Sequence, residues 1–312
     1  MMKAGAMLHS LTPALCRWLP FRSAGSGEPA AFNKPKIGLA LGGGFARGIA
    51  HAGVLAAFER HAIPIHCIAG VSAGSIVAAA FASGASPAEI AQAGHKMRFA
   101  DVAQWSLCKM GFVVNGRMTK FLQRLLKCYR FEEMRIPLGV LTTDLATGKA
   151  ICFRDQGDVC LPVRASCSYP GLFRPVQDET GRLLVDGAIS MEIPALLARE
   201  LGATHVISVH LPAPTELKPP PANIFQVVNR SIQILQTLTE QHWRKDSDLI
   251  ITPNVDGVPW DGFAHSAALI EAGDAAATAI IPAIQEWLAP IQPVRGRKGV
   301  MPVVAAPMRE RT

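Results

Sequence analysis

Charged residues are scarce in this sequence of 312 residues, in which 18% of the side chains are charged and 49% are hydrophobic. Disordered segments are poor in apolar residues, so this composition excludes a largely disordered protein. The 27 glycines and 23 prolines are too few and too irregularly spaced for collagen or another low-complexity sequence. The length instead allows one large domain, or two of ordinary size, with a sizeable core.

Metal-binding patterns are also missing. The seven cysteines include no C-x-x-C pair, and neither H-E-x-x-H nor an EF-hand loop occurs. We therefore expect no metal, no other cofactor and no disulfide framework, and the odd cysteine count in a long chain favours a reducing, cytoplasmic compartment. His9 and Arg17 interrupt the semi-apolar N-terminal stretch, and no convincing small-residue cleavage site follows it, so a cleaved signal peptide is not the favoured interpretation.

The net charge of +7 lies at the two ends of the chain. Residues 1–34 carry +3 and residues 291–312 carry +4, so residues 35–290 sum to zero. Both ends are rich in Pro, Gly, Ala and Ser, which predicts poorly ordered basic tails around one α/β domain at 35–290. A neutral domain without a recognised nucleic-acid module argues against nucleic-acid binding.

The order of apolar and helical patterns predicts an α/β fold. Apolar runs predict strands over 36–41, 63–69, 138–142, 150–153, 183–185, 205–210 and 249–252. Helical spacing predicts helices over 45–60, 75–83, 193–201, 223–245 and 266–288, the last interrupted at Pro282. Strands that alternate with helices through short connections favour a mostly parallel central sheet with helices on both faces.

A candidate nucleophile stands at Ser72, within Gly70-Val71-Ser72-Ala73-Gly74. This G-x-S-x-G pattern follows a predicted strand and precedes a predicted helix, which is the context of a nucleophile elbow. The turn of an elbow is sharp and needs small neighbours, and it lifts the serine hydroxyl to the carboxyl edge of the sheet, where open α/β sheets bind ligands. The alternative is a chance pentapeptide in a glycine-rich chain, and the strand–turn–helix context favours the elbow.

A glycine-rich loop joins the first predicted strand to its helix and reads Gly42-Gly43-Gly44-Phe45-Ala46-Arg47-Gly48. Its uncovered backbone N–H groups stand at a helix N-terminus, which favours an anion such as the oxyanion of acyl transfer. Bracing the loop is the favoured role of Arg47, and added charge or binding of a lipid phosphate are the alternatives. A dinucleotide fingerprint would need glycine in place of Arg47, and a P-loop would need Lys-Ser/Thr directly after Gly48.

A serine nucleophile needs a base, and two kinds of candidate are present. Five histidines lie downstream, none in a diagnostic setting: His95, His205, His210, His242 and His265. Asp186 ends an apolar run and is followed by the small residues Gly187 and Ala188, so it can face a pocket at a strand end. Burial would raise its pKa and make it a better base. A turn-forming Asp-Gly is the alternative, and spacing alone favours that alternative.

Together these features resemble the patatin-like phospholipase family, above all its bacterial small-chain members and the catalytic domain of neuropathy target esterase. The family's oxyanion motif matches residues 42–48, its G-x-S-x-G matches 70–74, and its D-G-A/G motif matches 186–188. The segment 164–173 also looks like a family segment, and the similarity covers roughly 36–255.

The resemblance implies a patatin-like three-layer architecture with a serine elbow. It also implies a Ser–Asp dyad in which Ser72 is the nucleophile, Asp186 is the base and no histidine is catalytic. The implied reaction is hydrolysis of acyl esters of phospholipids, lysophospholipids or other lipids through an acyl-enzyme. Alternatives are acyl transfer on the same dyad, a Ser–His–Asp triad, and a catalytically inactive membrane-binding protein.

Residues 96–130 carry a local net charge of +7 and suggest contact with a membrane surface. Positions 117–129 predict an amphipathic helix with an apolar side, Met118, Phe121, Leu122, Leu125 and Leu126, and a basic side, Arg117, Lys120, Arg124 and Lys127. An apolar stretch with little secondary-structure signal, which includes Trp105 and Phe112, precedes it. We expect this segment to form a cap that faces an anionic bilayer. For the helix alone, an ordinary core helix with a solvated basic side is the favoured alternative.

Overall fold

The computed structural model describes residues 34–108, 110–212 and 220–289. The tails expected at 1–34 and 291–312 lie outside these residues, apart from Lys34. The described strands are β1 Ile37–Leu41, β2 Cys67–Val71, β3 Gln104–Cys108, β4 Gly111–Val114, β5 Leu138–Asp144, β6 Ala150–Phe153, β7 Val176–Gln177, β8 Leu183–Asp186, β9 His205–Val209 and β10 Leu249–Ile251. The α-helices are α1 Ala50–Arg60, α2 Ala73–Ser83, α3 Pro87–Lys96, α4 Phe99–Val102, α5 Gly116–Leu125, α6 Cys160–Ser166, α7 Ala195–Glu200, α8 Ile224–Thr239, α9 Gln241–Arg244 and α10 Ser266–Leu288.

The central sheet is mostly parallel, which confirms the predicted fold class. Its strand order is β10-β9-β1-β2-β5-β8-β7, and the first five of these strands run parallel. The strands β8 and β6 both pair antiparallel with β5, and β7 pairs antiparallel with β8. Every residue of β1 and β2 is buried, as expected for parallel strands that are covered on both faces.

Helices cover both faces of the sheet and create three layers. Side chains alternate along a strand, so Leu39 and Leu41 of β1 pack on one face and Ala40 packs on the other. The first face packs against α1, α2, α5, α6 and α10. The second face packs against α7 and against Trp243 of α9. The carboxyl ends of β1 and β2 lie side by side, because Leu41 pairs with Gly70.

Several predicted elements differ from the structure, and three of the differences have a structural explanation or change an element's extent. The strand expected over 63–69 begins only at Cys67 and continues to Val71, because Pro64 has no N–H for the ladder. The helix expected over 223–245 is divided into α8 and α9. The helix expected to be interrupted at Pro282 is continuous as α10, since Ile281 and Ile284 on either side of the proline are buried in the core and hold it in place.

The predicted cap segment also differs from its expected local structure. The stretch before the amphipathic helix is an antiparallel hairpin of β3 and β4, in which Trp105 lies opposite Val113. The helix itself is shorter than predicted, because α5 ends at Leu125. Its apolar side is buried, so the preceding hairpin supplies the exposed apolar surface of this segment.

Among the described residues, one helical stretch, Phe263–Leu288, is long and apolar enough to cross a membrane. It contains α10, which packs closely along α1. A side chain at Gly53 would collide with the carbonyl group of Ile270, and one at Gly273 would collide with the carbonyl group of Ala50. The two glycines therefore permit a backbone-to-backbone contact that side chains would prevent.

Candidate active site

Ser72 lies in a strained turn between β2 and α2. Its φ and ψ are 52° and −130°, a conformation that a residue with a Cβ adopts only when its surroundings enforce it. A side chain at Gly70 would place its Cβ 2.6 Å from the carbonyl oxygen of Gly74, and one at Gly74 would place it 2.5 Å from that of Gly42. The two glycines of G-x-S-x-G are thus required by the sharpness of the turn.

Two further serines hold the turn in place. The backbone N–H of Ser72 donates to Ser166 Oγ at 2.8 Å, and that hydroxyl donates to the carbonyl of Leu141 at 2.7 Å. The carbonyl of Ser72 accepts from Ser75 Oγ at 2.6 Å. Sequence reasoning did not assign Ser166, although it lies within the family-like segment 164–173. The strained backbone is therefore fixed at both its N–H and its carbonyl.

Asp186 lies at the end of β8 and is completely buried. Its backbone N–H donates to the carbonyl of Ser168 at 3.0 Å, and its Oδ1 accepts from the N–H of Ala188 at 2.9 Å. Its Oδ2 is buried without a hydrogen-bond partner among the described residues. One carboxylate oxygen is thus fixed by the following turn, and the other remains available.

Burial raises the pKa of Asp186 to about 7. The N–H of Ala188 and the hydroxyl of Ser72 act in the opposite direction and stabilise the carboxylate. Ser72 and Asp186 line the same cavity, although no hydrogen bond of standard geometry joins their side chains in the described part of the chain. Such bonds are often loose before substrate binds. A carboxyl group with this pKa can exchange a proton near neutral pH.

The three predicted motifs meet at one point. A Cβ at Gly43 would stand 3.2 Å from Ser72 Cβ and 3.9 Å from Ala188 Cβ, so the glycine loop and the Asp-Gly-Ala turn both border the serine. A side chain at Gly187 would collide with the carbonyl oxygen of Leu141. Gly48 packs on Ala73, since a Cβ at Gly48 would stand 2.5 Å from Ala73 Cβ.

The glycine loop presents free donors beside Ser72. The N–H of Gly42 is used, since it donates to the carbonyl of Val209 at 3.1 Å. For the N–H groups of Gly43 and Gly44, no acceptor occurs in the part of the chain that the structure describes. Both residues line a cavity together with Ser72. The loop can therefore donate hydrogen bonds to an oxyanion formed at the serine.

A buried histidine, which sequence reasoning missed, supports this loop. His51 Nε2 lies 2.9 Å from the carbonyl oxygen of Gly42, and a carbonyl can only accept, so Nε2 carries the proton. Burial lowers the pKa of His51 to about 4, so the ring is neutral at neutral pH. Its position on α1, one turn after the glycine loop, was the available signal.

Arg47 links the glycine loop to the segment that follows β9. Its Nη1 donates to the carbonyl of Pro212 at 2.8 Å, whereas its Nε is buried without a partner among the described residues. Burial lowers the pKa of Arg47, and the nearby carboxylates Asp256 and Glu192 oppose this effect. The contact with Pro212 has the form that a bracing role would take, and Arg47 also lines the cavity that contains Asp186.

Ser72 lies between two cavities of opposite character. One, of about 90 Å³, is mostly apolar and is lined by residues such as Phe45, Ile76, Met97, Phe121 and Phe173. The other, of about 50 Å³, is more polar and is lined by Asp186, Glu192, Asn229, Gln233 and Gln236, among others. An ester bound across Ser72 would therefore have an apolar side and a polar side.

The predicted cap helix forms part of the apolar cavity. Met118, Phe121 and Leu125 of α5 line it, and the basic residues Arg117, Lys120, Arg124 and Lys127 are exposed on the opposite side. Lys127 pairs with Glu89 at 2.6 Å. Trp105 and Phe112 on the hairpin are 72% and 58% exposed. The helix is thus both a packed helix and a wall of the cavity beside Ser72.

None of the described residues that line these two cavities is a histidine. His95 binds Ser266, His210 lies 3.2 Å from Glu192, and His205 stacks on Trp287. In the described ranges, no group of three His, Cys, Asp or Glu residues is arranged to hold a metal ion. The carboxyl groups that line a cavity together with Ser72 are those of Asp186 and Glu192.

The sequence matches the family model described as Patatin-like phospholipase over residues 39–199. Neuropathy target esterase sws of Drosophila melanogaster is 31% identical over 212 residues, which cover 65% of this chain and 14% of that protein. An uncharacterized NTE family protein of Mycobacterium tuberculosis is 30% identical over 181 residues, which cover 57% of this chain and 50% of that protein. The chain thus spans half the length of the mycobacterial relative and much less of the fly protein.

Among solved structures, VipD from Legionella pneumophila is similar with a TM-score of 0.45 and 12% identity, covering 80% of this chain and 67% of that chain.

Proposed function

Because this chain belongs to the patatin-like phospholipase family, and so to the carboxylic ester hydrolases, we propose that it hydrolyses acyl esters of lipids with a Ser72–Asp186 dyad. One observation carries the proposal. A strained serine lies at the junction of an apolar cavity and a polar cavity, and it shares the polar cavity with a buried carboxyl group whose pKa is raised.

In the first half of the reaction, the carboxylate of Asp186 accepts the proton of the Ser72 hydroxyl as Oγ attacks the ester carbon. The N–H groups of Gly43 and Gly44 donate to the oxyanion of the tetrahedral intermediate. When the intermediate collapses, the C–O bond to the leaving alcohol breaks, and Asp186 returns the proton to that alcohol. The acyl group stays on Ser72 as an ester.

In the second half, Asp186 accepts a proton from water, which attacks the acyl-enzyme. The new tetrahedral intermediate uses the same backbone donors and collapses to the free acid, and the proton returns to Ser72. A base with a pKa near the working pH suits both halves, because it must take and give the same proton. Burial supplies this pKa for Asp186.

The two cavities support an orientation for the substrate. The acyl chain would enter the apolar cavity, and the polar alcohol part would enter the cavity lined by Asn229, Gln233 and Gln236. A phospholipid, a lysophospholipid or another acyl-ester lipid has this division between an apolar and a polar part. Peripheral contact with an anionic membrane belongs to the same proposal, supported by the exposed basic side of α5.

The proposal is tested by labelling with a fluorophosphonate, which reacts with activated serines. Wild-type protein should be labelled and Ser72→Ala should not, whereas Ser83→Ala, at the far end of the same helix, should be labelled normally. Labelling of Ser72→Ala at the wild-type rate would contradict the assignment. Product analysis with an added acceptor alcohol separates hydrolysis from acyl transfer, because a transferase would form the new ester.

A further inference from the structure

The helix α8 has two apolar sides, and only one of them packs against the protein. Phe225 and Ile232 contact the core. Ile224, Leu235 and Leu238 are 70%, 60% and 70% exposed, and Val227 and Ile234 are also exposed. At about 100° per residue, these five exposed residues fall within an arc of about 100°. A helix of 16 residues with no buried residue and an exposed apolar stripe is unusual for a surface that only faces water.

The inner side of α8 forms part of the polar cavity. Asn229, Gln233 and Gln236 line this cavity together with Ser72 and Asp186. Gln236 Nε2 donates to the carbonyl of Ala188 at 3.3 Å, next to the catalytic carboxyl group. The helix therefore covers the catalytic cavity with polar groups and presents apolar groups to the outside.

One short segment contacts both α8 and the hairpin β3–β4. Gly171 lies against Val228 of α8, and the carbonyl of the next residue, Leu172, accepts from the N–H groups of Phe112 and Val113 at 3.1 and 3.0 Å. The hairpin exposes Trp105 and Phe112. The elements that carry the two exposed apolar surfaces are thus linked through residues 171 and 172.

The same segment borders both cavities. Tyr169 lines the polar cavity and donates its hydroxyl to Asn229 of α8 at 3.0 Å, whereas Phe173 lines the apolar cavity. The two exposed surfaces therefore flank the part of the protein through which a lipid would reach Ser72.

The charged residues within the hairpin, α5 and α8 are all basic. Residues 102–131 and 217–239 contain no Asp or Glu, and the adjacent acids Asp101 and Glu240 lie outside these elements. Arg117 lies three residues after the hairpin, and Arg174 donates its backbone N–H to the carbonyl of Val113; both side chains are exposed. Apolar groups that insert between lipids, with exposed cations beside them, complement an anionic bilayer.

We propose that Trp105, Phe112, Ile224, Val227, Leu235 and Leu238 form a single docking face that inserts into the surface of an anionic bilayer. Docking would hold the catalytic cavities against the lipid layer, so that an acyl ester reaches Ser72 without passing through water. The inference rests on the proposed function for the identity of the substrate. It differs from the cap hypothesis, which already includes Trp105 and Phe112, in adding α8 to the main contact and in giving the basic side of α5 a secondary role.

The test compares three double variants of the full chain. Leu235→Ser with Leu238→Ser changes α8, Trp105→Ser with Phe112→Ser changes the hairpin, and Leu145→Ser with Leu196→Ser removes two exposed leucines outside the face. Binding is measured by co-sedimentation with vesicles of phosphatidylcholine and phosphatidylglycerol, in a Ser72→Ala background so that the lipid stays intact. We expect the α8 and hairpin variants to bind at least about tenfold more weakly, because each loses two large apolar side chains from the contact, and the control to bind as wild type.

Hydrolysis, measured without the Ser72→Ala change, separates docking from catalysis. The α8 and hairpin variants should hydrolyse vesicle phospholipid at least about tenfold more slowly and a short soluble ester at the wild-type rate. If they bind vesicles and hydrolyse vesicle lipid like the control, the docking face is wrong and the proposed function survives. If wild type binds vesicles through this face and hydrolyses no ester, the proposed function fails and docking survives.

The docking face could instead bind a second copy of the chain, and light scattering tests this by measuring the oligomeric state. A dimeric wild type that becomes monomeric in the α8 variant, with vesicle binding unchanged, would overturn the proposal. Equal melting temperatures for the three variants and wild type show that the losses come from the surface and not from unfolding.

Discussion

The proposed catalytic cavity has two parts, the Ser72 turn and the helix α8 that covers it, and they differ in how tightly they pack against the protein. The Ser72 turn is enclosed by close backbone contacts that leave no room for a side chain at Gly70 or Gly74. The N–H of Ser72 donates to Ser166, and its carbonyl accepts from Ser75. Its cover, α8, contains no buried residue and contacts the polar cavity mainly through amide side chains. A rigid turn fixes the position of Ser72, whereas the helix that covers the polar cavity is loosely packed. The position of Ser72 and the cover of its cavity therefore depend on separate elements.

The largest expected effect comes from removing the proposed proton acceptor, the carboxyl group of Asp186. Asp186→Asn should lower kcat/KM for a soluble ester by about 10⁴-fold, because an amide cannot accept the proton of Ser72. Asp144→Asn changes another buried carboxyl group, at the end of the neighbouring strand and outside both cavities, and should keep activity near wild type. Single changes of His95, His205, His210, His242 and His265 to Ala should do the same. Loss of activity in one of these histidine variants would indicate a Ser–His–Asp triad instead.

Disrupting the close packing of the Ser72 turn should also destabilise the protein. In Gly74→Ala, the new Cβ would stand 2.5 Å from the carbonyl oxygen of Gly42, and we expect the free energy of unfolding to fall by about 1–3 kcal/mol or more, with activity lost. Gly116→Ala is the matched control, because nothing lies within 4 Å of a Cβ there. Urea denaturation measures both. A Gly74→Ala protein as stable as Gly116→Ala would contradict the close packing of the elbow.

The pH dependence of activity and of stability tests how burial affects the carboxyl group of Asp186. The rate kcat/KM should rise through about pH 7 and then level off, because only the carboxylate form of Asp186 accepts a proton. Stability should respond in the opposite direction. The raised pKa means that the unfolded chain loses this proton first, so the carboxyl group costs stability as pH rises from about 4 to about 7.

Asp186→Asn removes this cost. Relative to wild type, its melting temperature should therefore be unchanged near pH 4 and higher above pH 7, as measured by calorimetry at both pH values. An Asp186→Asn protein that is less stable than wild type at pH 8 would contradict the assignment of the pKa shift to burial.

The smallest expected effect concerns the basic side of α5. Replacing Arg117, Lys120, Arg124 and Lys127 with Ser should weaken binding to anionic vesicles, at about 1 kcal/mol for each cation that lies near the surface, and spare hydrolysis of a short soluble ester. The contribution of Lys127 should be reduced by its ion pair with Glu89. The effect should disappear in high salt, whereas that of the docking face should persist. Unchanged vesicle binding at low salt would remove α5 from the membrane contact.

Much of the Ser72 site was predictable because its signals are local. Ser72, the glycine loop and Asp186 each lie at the end of a strand, and their small neighbours are required by turns that involve only a few adjacent residues. His51, Ser166 and Asn115 were not assigned, although Asn115 is buried and donates to Ser168 Oγ beside Asp186. A buried histidine or serine has no distinctive neighbours in the chain, and its role depends on which distant carbonyl it meets.

The cover was less predictable for a related reason. Hydrophobic spacing predicted helices at α5 and α8, but spacing cannot tell which apolar residue is buried when a helix has apolar groups on two sides. The hairpin β3–β4 was missed because two short strands with a single mutual pairing have a weak periodic signal.

By itself, the sequence determined the α/β fold class and the family of this protein, together with the strand ends at which Ser72 and Asp186 stand. These depend on alternation, on turn chemistry and on motifs within a few residues. Only the tertiary structure decided that Ser72 and Asp186 line one polar cavity, that Ser72 also borders an apolar cavity, and that α8 covers the polar cavity. Those facts depend on strand order and on burial, because desolvation and contact are properties of residues far apart in the chain that the fold brings together.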